Sequence, residues 1–340
     1  MHDILIGRPE VGSARSLALD RIVEMPLVSV VIASYGRAQL VARAVRSVLA
    51  QTHANVEVVV SDDASPDDTV AVLSTIRDPR LRVNVQPKNV GVWENWTAAL
   101  RMARGEYVVF LGDDDHLTPN FVGCHLAVFG RHPDIHAVLC PMEERLLEGG
   151  LMQRLPSPFP GDAVAGPTEI VRGLLGGKIY VGAGMFRRDF AVRVWEDTRP
   201  EGMVADWGLF MRGSLVQGMR AAACDGCTYL KLVHPKQLSS LPVEVTTLLA
   251  ELCERMGTLA TDAFPAIATE LMARAAAERI TLARHHAAGG AVDRCRRELW
   301  RSFSILPAQP MVWSQLAQSY LWPARMIRTS RQQRRGLHGA

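Results

Sequence analysis

Residues 105–119 read GEYVVFLGDDDHLTP, an apolar run that stops at three consecutive acids. Tyr107 to Leu111 has the β-branched and aromatic content, without alternation, of a short strand covered on both faces. Thr118 reads as a helix cap and Pro119 as a first helical residue. The same pattern recurs upstream. Leu27 to Ala33 (LVSVVIA) predicts a first strand, ending in the turn Ser34-Tyr35-Gly36-Arg37. Leu40, Val41, Ala44, Val45, Val48 and Leu49 then repeat at helical spacing. Val56 to Val60 predicts a second strand that runs into Asp62-Asp63. Ser65 reads as an N-cap, Pro66 as the helix opening, and 69–76 as helix, with Asp67 and Asp68 favoured near the positive end of its dipole. Leu81 to Val85 predicts a third strand and 95–104 another helix. Strand–helix alternation at this spacing predicts an α/β fold, a doubly wound, mostly parallel sheet flanked by helices. Such sheets bind ligands beyond the carboxyl ends of their strands. The polar clusters 34–37, 62–63 and 113–115 all fall there.

Composition narrows the classes. Of 340 residues, 48% are hydrophobic and 21% charged, so the chain can bury a core. A net charge of +3 argues against nucleic acid as the main partner. A mean hydropathy of +0.05 excludes a polytopic membrane protein. Six cysteines in this length read as thiols of a reducing compartment, placing the protein in the cytoplasm. Cys224-x-x-Cys227 has no second ligand pair nearby in sequence and reads as two ordinary thiols. Residues 1–25 lack the apolar stretch of a secretory signal and read as a leader.

Residues 136–240 are less regular. Prolines and glycines between Pro156 and Pro167 predict a long loop, followed by Tyr180 to Phe186 (YVGAGMF), Asp206-Trp207 and a strand near 229–233. From about Val243 the chain turns helical, with Leu248, Leu249, Leu252 and Met256 on one face, as are Ile267, Leu271, Ala275 and Leu282. Ser302 to Ala324 carries no charge, but its prolines and glutamines argue against a membrane span. Arg325, Arg328, Arg331, Arg334 and Arg335 follow. A helix packed on the body with a solvated basic tail is one reading, and peripheral contact with anionic lipid at the inner face of a membrane is the other.

Three adjacent carboxylates repel one another unless a cation sits among them. Hard oxygen donors select Mg²⁺ or Mn²⁺, which would hold a diphosphate. Neither a Walker A loop nor G-x-G-x-x-G follows a strand, so glycine amides are not the phosphate anchor. Tyr35 is placed to stack on a base, and Asp63 to accept a base N–H.

At this point VSVVIASYGR (28–37), VEVVVSDDASPDDT (56–69), NVGVWENW (89–96) and GEYVVFLGDDDHLTP (105–119) together resemble the inverting family 2 glycosyltransferases. The resemblance implies a GT-A fold over 26–240, with a nucleotide-sugar half at 26–135, an acceptor half at 136–240 and a helical region with a basic tail at 241–340. It implies donor contacts from Ala33, Tyr35, Arg37, Asp62, Asp63, Asn95, Asp113, Asp114 and Gly184, and metal ligation by Asp114, Asp115 and His234. Gly112 stands where many members have Asp, and Ala33 where Thr is frequent. Asp206 resembles the general base, which an acceptor hydroxyl needs to become nucleophilic. Gly182-Ala183-Gly184 resembles the loop that approaches the donor sugar. The resemblance points first to UDP, with dTDP and GDP open. It implies a saccharide, lipid-linked or small-molecule acceptor, and leaves a homo-oligomer open. Arg187 and Arg188 are candidates to face phosphate, Trp93 and Trp96 to touch acceptor or nucleotide, and His116 to tune the acidic turn. Two rival readings remain. A sugar-nucleotide-forming nucleotidyltransferase would carry a glycine- and arginine-rich loop where SYGRAQL stands. A non-catalytic binding module would not need Asp206.

Overall fold

The computed structural model describes residues 25–147, 150–161, 163–234, 242–307 and 310–321. The expected leader and the arginines of the basic tail lie outside them. In chain order the first elements are β1 (Val28–Ser34), α1 (Ala38–Leu49), β2 (Val56–Asp62), α2 (Thr69–Ser74), β3 (Leu81–Val85), α3 (Val92–Met102) and β4 (Tyr107–Phe110). Then come β5 (His116–Leu117), α4 (Phe121–Arg131), β6 (Ala137–Leu139), β7 (Met142–Leu146), β8 (Leu151–Leu155), β9 (Val164–Ala165) and α5 (Pro167–Leu175). A short 3₁₀ turn, Val181–Ala183, leads into β10 (Gly184–Arg187) and α6 (Arg188–Glu196). A second, Arg199–Val204, leads into α7 (Ala205–Leu215), β11 (Ala221–Ala223) and β12 (Tyr229–Val233). Four helices close the described chain: α8 (Pro242–Ala260), α9 (Pro265–Ala288), α10 (Val292–Ile305) and α11 (Pro310–Leu321).

The main sheet has the order β3-β2-β1-β4-β10-β6-β11-β9. β1, β2, β3 and β4 are mutually parallel, whereas β10 runs antiparallel to both β4 and β6. The central parallel strands β1, β2 and β4 are almost entirely buried and mostly apolar because helices cover both faces, whereas the edge strand β3 (LRVNV) is largely half-buried or exposed. Val28, Val30 and Ile32 pack with Val41, Val45 and Val48 of α1. Val31 packs on the opposite face with Ala99 and Leu100 of α3 and Phe210 of α7. A smaller sheet, β5-β12-β7-β8, stands beside the carboxyl end of β4.

Two helix starts differ from expectation. Ser65 and Pro66 do not open α2, which begins at Thr69, where the Asp67 carboxylate accepts the Thr69 N–H at 3.1 Å. Ser65 instead donates to Asp62 and accepts the Gly36 N–H. Thr118 does not cap α4. Its N–H and hydroxyl both reach the Thr228 carbonyl, so local propensity yields to a strand-like contact, and α4 starts at Phe121.

The C-terminal helices share the central core. Leu252, Cys253 and Met256 of α8 and Ile267, Leu271 and Ala275 of α9 join the cluster that contains Val31 and Phe110. Arg279 is 2% exposed, and its charge is met by Glu254 at 2.7 Å and Glu298 at 3.1 Å. That triad ties α8, α9 and α10 together. Among the described residues, no helix is long and apolar enough to cross a membrane.

The opposite end of the sheet is held by a buried carboxylate. Glu57 accepts from Ser29 Oγ at 2.6 Å, the Arg104 N–H at 2.6 Å and Arg82 at 3.0 Å. Burial alone would raise its pKa, but these donors hold it below the usual range. Gly105 donates to Ser29 Oγ at 2.8 Å, and a Cβ there would lie 2.6 Å from the Leu27 carbonyl oxygen and 2.7 Å from the Ser29 nitrogen. Backbone atoms of a central strand cannot give way. Gly105→Ala is expected to cost about 1–3 kcal/mol, read as a fall in thermal midpoint of several degrees with the fold retained.

Candidate active site

The carboxyl ends of β1, β2 and β4 lie side by side, and each carries one polar cluster. After β1, Gly36 takes a φ of +64°, a conformation that favours glycine. The turn it makes leaves Tyr35 49% exposed at the rim, the aromatic face the sequence reading expects. Ala33 is half-buried near the end of β1. Arg37 bridges two acids, reaching Asp113 at 2.7 Å and Asp114 at 3.0 Å.

After β2, the two aspartates are engaged differently. Asp62 is fully buried, and its carboxylate accepts the Ser65 N–H at 3.0 Å and the Ser65 hydroxyl. It therefore shapes the turn. Asp63 accepts the Val90 N–H at 2.6 Å and the Gly91 N–H at 3.0 Å. Between Asp63 and Ser65, Ala64 adopts a φ of +56°, a strained value for a residue with a Cβ. Asn95, expected to touch donor, is 3% exposed. Its amide nitrogen donates to the Ser61 carbonyl at 2.9 Å and the Ser34 carbonyl at 3.3 Å, tying β2 to β1, while its Oδ1 is buried without a partner.

The three acids after β4 separate by role. Asp113 accepts from Ser34 Oγ at 3.0 Å as well as from Arg37. Burial, set against Arg37 and reinforced by Asp114, raises its pKa to about 6. Asp114 meets His234 Nε2 at 2.9 Å, so the residue after β12 converges on the acidic turn as expected. Asp115 departs from expectation. It is 1% exposed; Oδ1 accepts the Leu232 N–H at 2.8 Å, and Oδ2 accepts the Tyr229 hydroxyl, with the Tyr180 hydroxyl at 3.5 Å. Burial and the neighbouring Asp114 charge raise it to about 7. Both oxygens serve internal donors, which makes Asp115 a tether between the two sheets rather than an open ligand.

Asp206 occupies the first turn of α7. Burial raises its pKa to about 6, opposed by the Trp207 N–H and by Lys231. Tyr180 links it to the acids: the charges of Asp115, Asp114 and Asp206 all act on this buried phenol, and Lys231 lies over its ring at 5.2 Å. Tyr180, Tyr229 and Lys231 were missed in the sequence because no local pattern marks a buried tyrosine as a carboxylate donor. Gly182 is required here, since a Cβ would fall 2.3 Å from the Tyr229 hydroxyl.

Other candidates are drawn elsewhere. A Cβ on Gly184 would meet Leu139 at 2.9 Å and Phe186 at 3.0 Å, so its smallness serves the core. Arg187 donates to the Ile135 and Pro133 carbonyls and Arg188 to that of Gly105. Because β10 is antiparallel, both lie at the amino end of β4, away from the acids, which corrects the phosphate reading. Trp96 packs on Phe110, while Trp93 donates to Thr198 Oγ1 at 3.0 Å. His116 is half-buried, and burial lowers its pKa.

Ionising Asp206 costs free energy in the ligand-free fold. Its folded pKa lies above the ordinary carboxylate value, so stability is fullest in acid and falls as pH rises through about 6. Asp206→Asn is expected to raise the thermal midpoint at pH 8, by up to about 3 kcal/mol in stability, by about a third of that at pH 4.5, and to leave it nearly unchanged at about pH 3. Melts of both proteins across that range check it.

The Glycosyl transferase family 2 model matches residues 29–186. The succinoglycan biosynthesis protein ExoO of Rhizobium meliloti is 39% identical over 103 residues, 30% of this chain and 29% of ExoO. The Escherichia coli UDP-Glc:alpha-D-GlcNAc-diphosphoundecaprenol beta-1,3-glucosyltransferase WfaP is 36% identical over 92 residues, 27% of this chain and 37% of WfaP. The chain thus spans well under half the length of these relatives. S. aureus TarS 1–349, in complex with UDP-GlcNAc, superposes with a TM-score of 0.64 at 16% identity, covering 91% of this chain and 92% of that one, a likeness of fold. The site just described begins within the matched segment, and the chain carries a Glycosyl transferase family 2 domain over residues 29–186.

Proposed function

We propose that the protein transfers a sugar from a nucleoside diphosphate sugar, UDP first, to a hydroxyl acceptor with inversion. One observation carries this reading. Asp113 and Asp114, with His234 2.9 Å from Asp114, lie at the carboxyl edge of the sheet, and Asp206 shares the neighbour Tyr180 with Asp114 and Asp115. WfaP, a UDP-Glc-dependent glucosyltransferase by name, and the TarS complex with UDP-GlcNAc support the nucleotide, and ExoO, a succinoglycan biosynthesis protein, supports a saccharide product.

Tyr35 offers its exposed ring to the base, and Asp63 retains acceptor lone pairs for a base N–H. Asp113 and Arg37 lie where ribose and phosphate would emerge. The donor set fits Mg²⁺ or Mn²⁺: a hard carboxylate oxygen of Asp114 and an imidazole nitrogen of His234 converge among acids that burial alone would leave uncompensated. When bound, such an ion would supply positive charge to the departing diphosphate. Asp206 takes the acceptor's hydroxyl proton as that oxygen attacks the anomeric carbon, a single displacement. Its raised pKa makes it a stronger base than a solvated carboxylate, still ionised at pH 7. Polysaccharide ends, lipid-linked saccharides and small molecules are the acceptor classes this reading admits.

The deciding experiment is a thermal-shift screen of UDP, dTDP, GDP and CMP with and without Mn²⁺. One diphosphate should stabilise the protein in a metal-dependent way, by about 2.7 kcal/mol at 100-fold excess over Kd. No shift with any of them would remove the donor-site reading. Asp114→Asn should abolish the metal-dependent part, whereas Asp115→Asn should keep it while lowering the thermal midpoint. With donor and acceptor in hand, Asp206→Asn should retain donor binding and lose about 10²- to 10⁴-fold in rate. The wild-type rate should climb with pH through about 6 as Asp206 ionises.

A further inference from the structure

Five soft ligands meet beneath the smaller sheet, away from the acids. The C-x-x-C pair of the β11–β12 link, Cys224 and Cys227, lies against Cys124 and His125 of α4 and Cys140 after β6. One ligand atom each of Cys124, Cys224 and Cys227 lies within 4.8 Å of the others, as does one each of His125, Cys140 and Cys227. A third thiol for the C-x-x-C pair is supplied by a helix a hundred residues earlier, at Cys124.

The C-x-x-C spacing is that of two thiolates on one tetrahedral ion, and Cys124 Sγ lies within 4.8 Å of both. Metal–sulfur bonds of about 2.3 Å and metal–nitrogen bonds of about 2.0 Å place neighbouring sulfurs about 3.8 Å apart and sulfur and nitrogen about 3.5 Å apart. Cys224 Sγ and Cys227 Sγ are 3.8 Å apart, and Cys227 Sγ and His125 Nδ1 are 3.6 Å apart. His125 is fully buried, with Nδ1 2.8 Å from the Phe121 carbonyl and Nε2 without a hydrogen-bond partner. The nitrogen nearest the thiols is thus the one already held by a backbone carbonyl, which makes His125 a wall of the site. Cys140, whose thiol reaches the Pro141 carbonyl at 3.3 Å, groups with His125 and Cys227 and not with Cys124 and Cys224. Cys124 is half-exposed and gives an entry path. A Cβ on Gly226 would fall 3.0 Å from its sulfur, so glycine keeps that side open.

We propose that Cys124, Cys224 and Cys227 form a three-thiol structural site for one thiophilic divalent cation, zinc, whose fourth position is left to solvent on the Cys124 side. Each thiol loses its proton to solvent as its metal–sulfur bond forms, with no change of oxidation state. The consequence is mechanical. Tyr229, two residues after Cys227, holds Asp115, and the same strand leads to His234, so the ion would pin α4 to the strand that completes the candidate active site.

The test is anaerobic titration of the reduced, metal-free full chain with Co²⁺. One equivalent should produce tetrahedral cobalt d–d absorption together with sulfur-to-cobalt charge-transfer bands, and one equivalent of Zn²⁺ should bleach both. Cobalt held by Asp114 and His234 would give no charge-transfer band, so the two sites are read separately. Cys224→Ser and Cys227→Ser should lose the bands, while Cys253→Ser and Cys295→Ser keep them. Absence of charge-transfer bands in the wild type with six titratable thiols would overturn the proposal. So would a Cys224–Cys227 disulfide in protein purified under reducing conditions, or a full cobalt spectrum in the Cys224→Ser/Cys227→Ser double variant. The wild-type titration decides even if a variant does not fold.

Discussion

Consecutive carboxylates at the end of a buried strand are the constraint around which this molecule is arranged. Water cannot screen them there, so each must be given its own donors. Asp113 receives Ser34 and Arg37, Asp114 shares Arg37 and gains His234, and Asp115 takes Tyr229 and the Leu232 N–H. Those donors come from β1, from the turn after it and from β12, which is why the two sheets must meet at this point. The fold's long-range connections follow from the need to compensate these charges.

The solution also explains why raised pKa values gather at the turn. Asp113 and Asp115 remain above the ordinary carboxylate range despite their donors, because burial outweighs hydrogen bonding. A site with unspent negative charge is poised for a cation or a cationic transition state, and functional centres commonly hold such groups. Glu57, at the other end of the same sheet, is the contrast. It is buried too, but three donors, from Ser29, Arg104 and Arg82, hold its pKa below the usual range, and its role is structural.

The parallel half was legible in the sequence because its signals are local. Uninterrupted Val-rich runs mean strands covered on both faces, and the acids after them mark the carboxyl edge. The registers β1–β2 and β1–β4 place those acids together as the alternation of elements required. What was not legible depends on distant partners. Thr118 has the local chemistry of a cap, but Thr228, far along the chain, claims its hydroxyl. Asp115 looks like a third member of a ligand set until Tyr229 and Leu232 are seen to hold it. Gly184 looks like a residue of the donor loop, yet Leu139 and Phe186 decide its size. Cys224 and Cys227 look ordinary until α4 is placed beside them. In each case the deciding contact spans dozens of residues, which no window of sequence can reveal.

One oxygen of the buried Glu201 receives two guanidinium groups, from Arg212 of α7 at 2.8 Å and from Arg255 of α8 at 3.0 Å. Glu201 belongs to the tight turn that delivers the chain to Asp206. The C-terminal helices and the proposed base are therefore bolted to one anchor instead of joined by a tether. Removing that one carboxylate would strand two guanidinium groups at once, on α7 and on α8, so the packing beside the proposed base and that of the helical end depend on the same side chain.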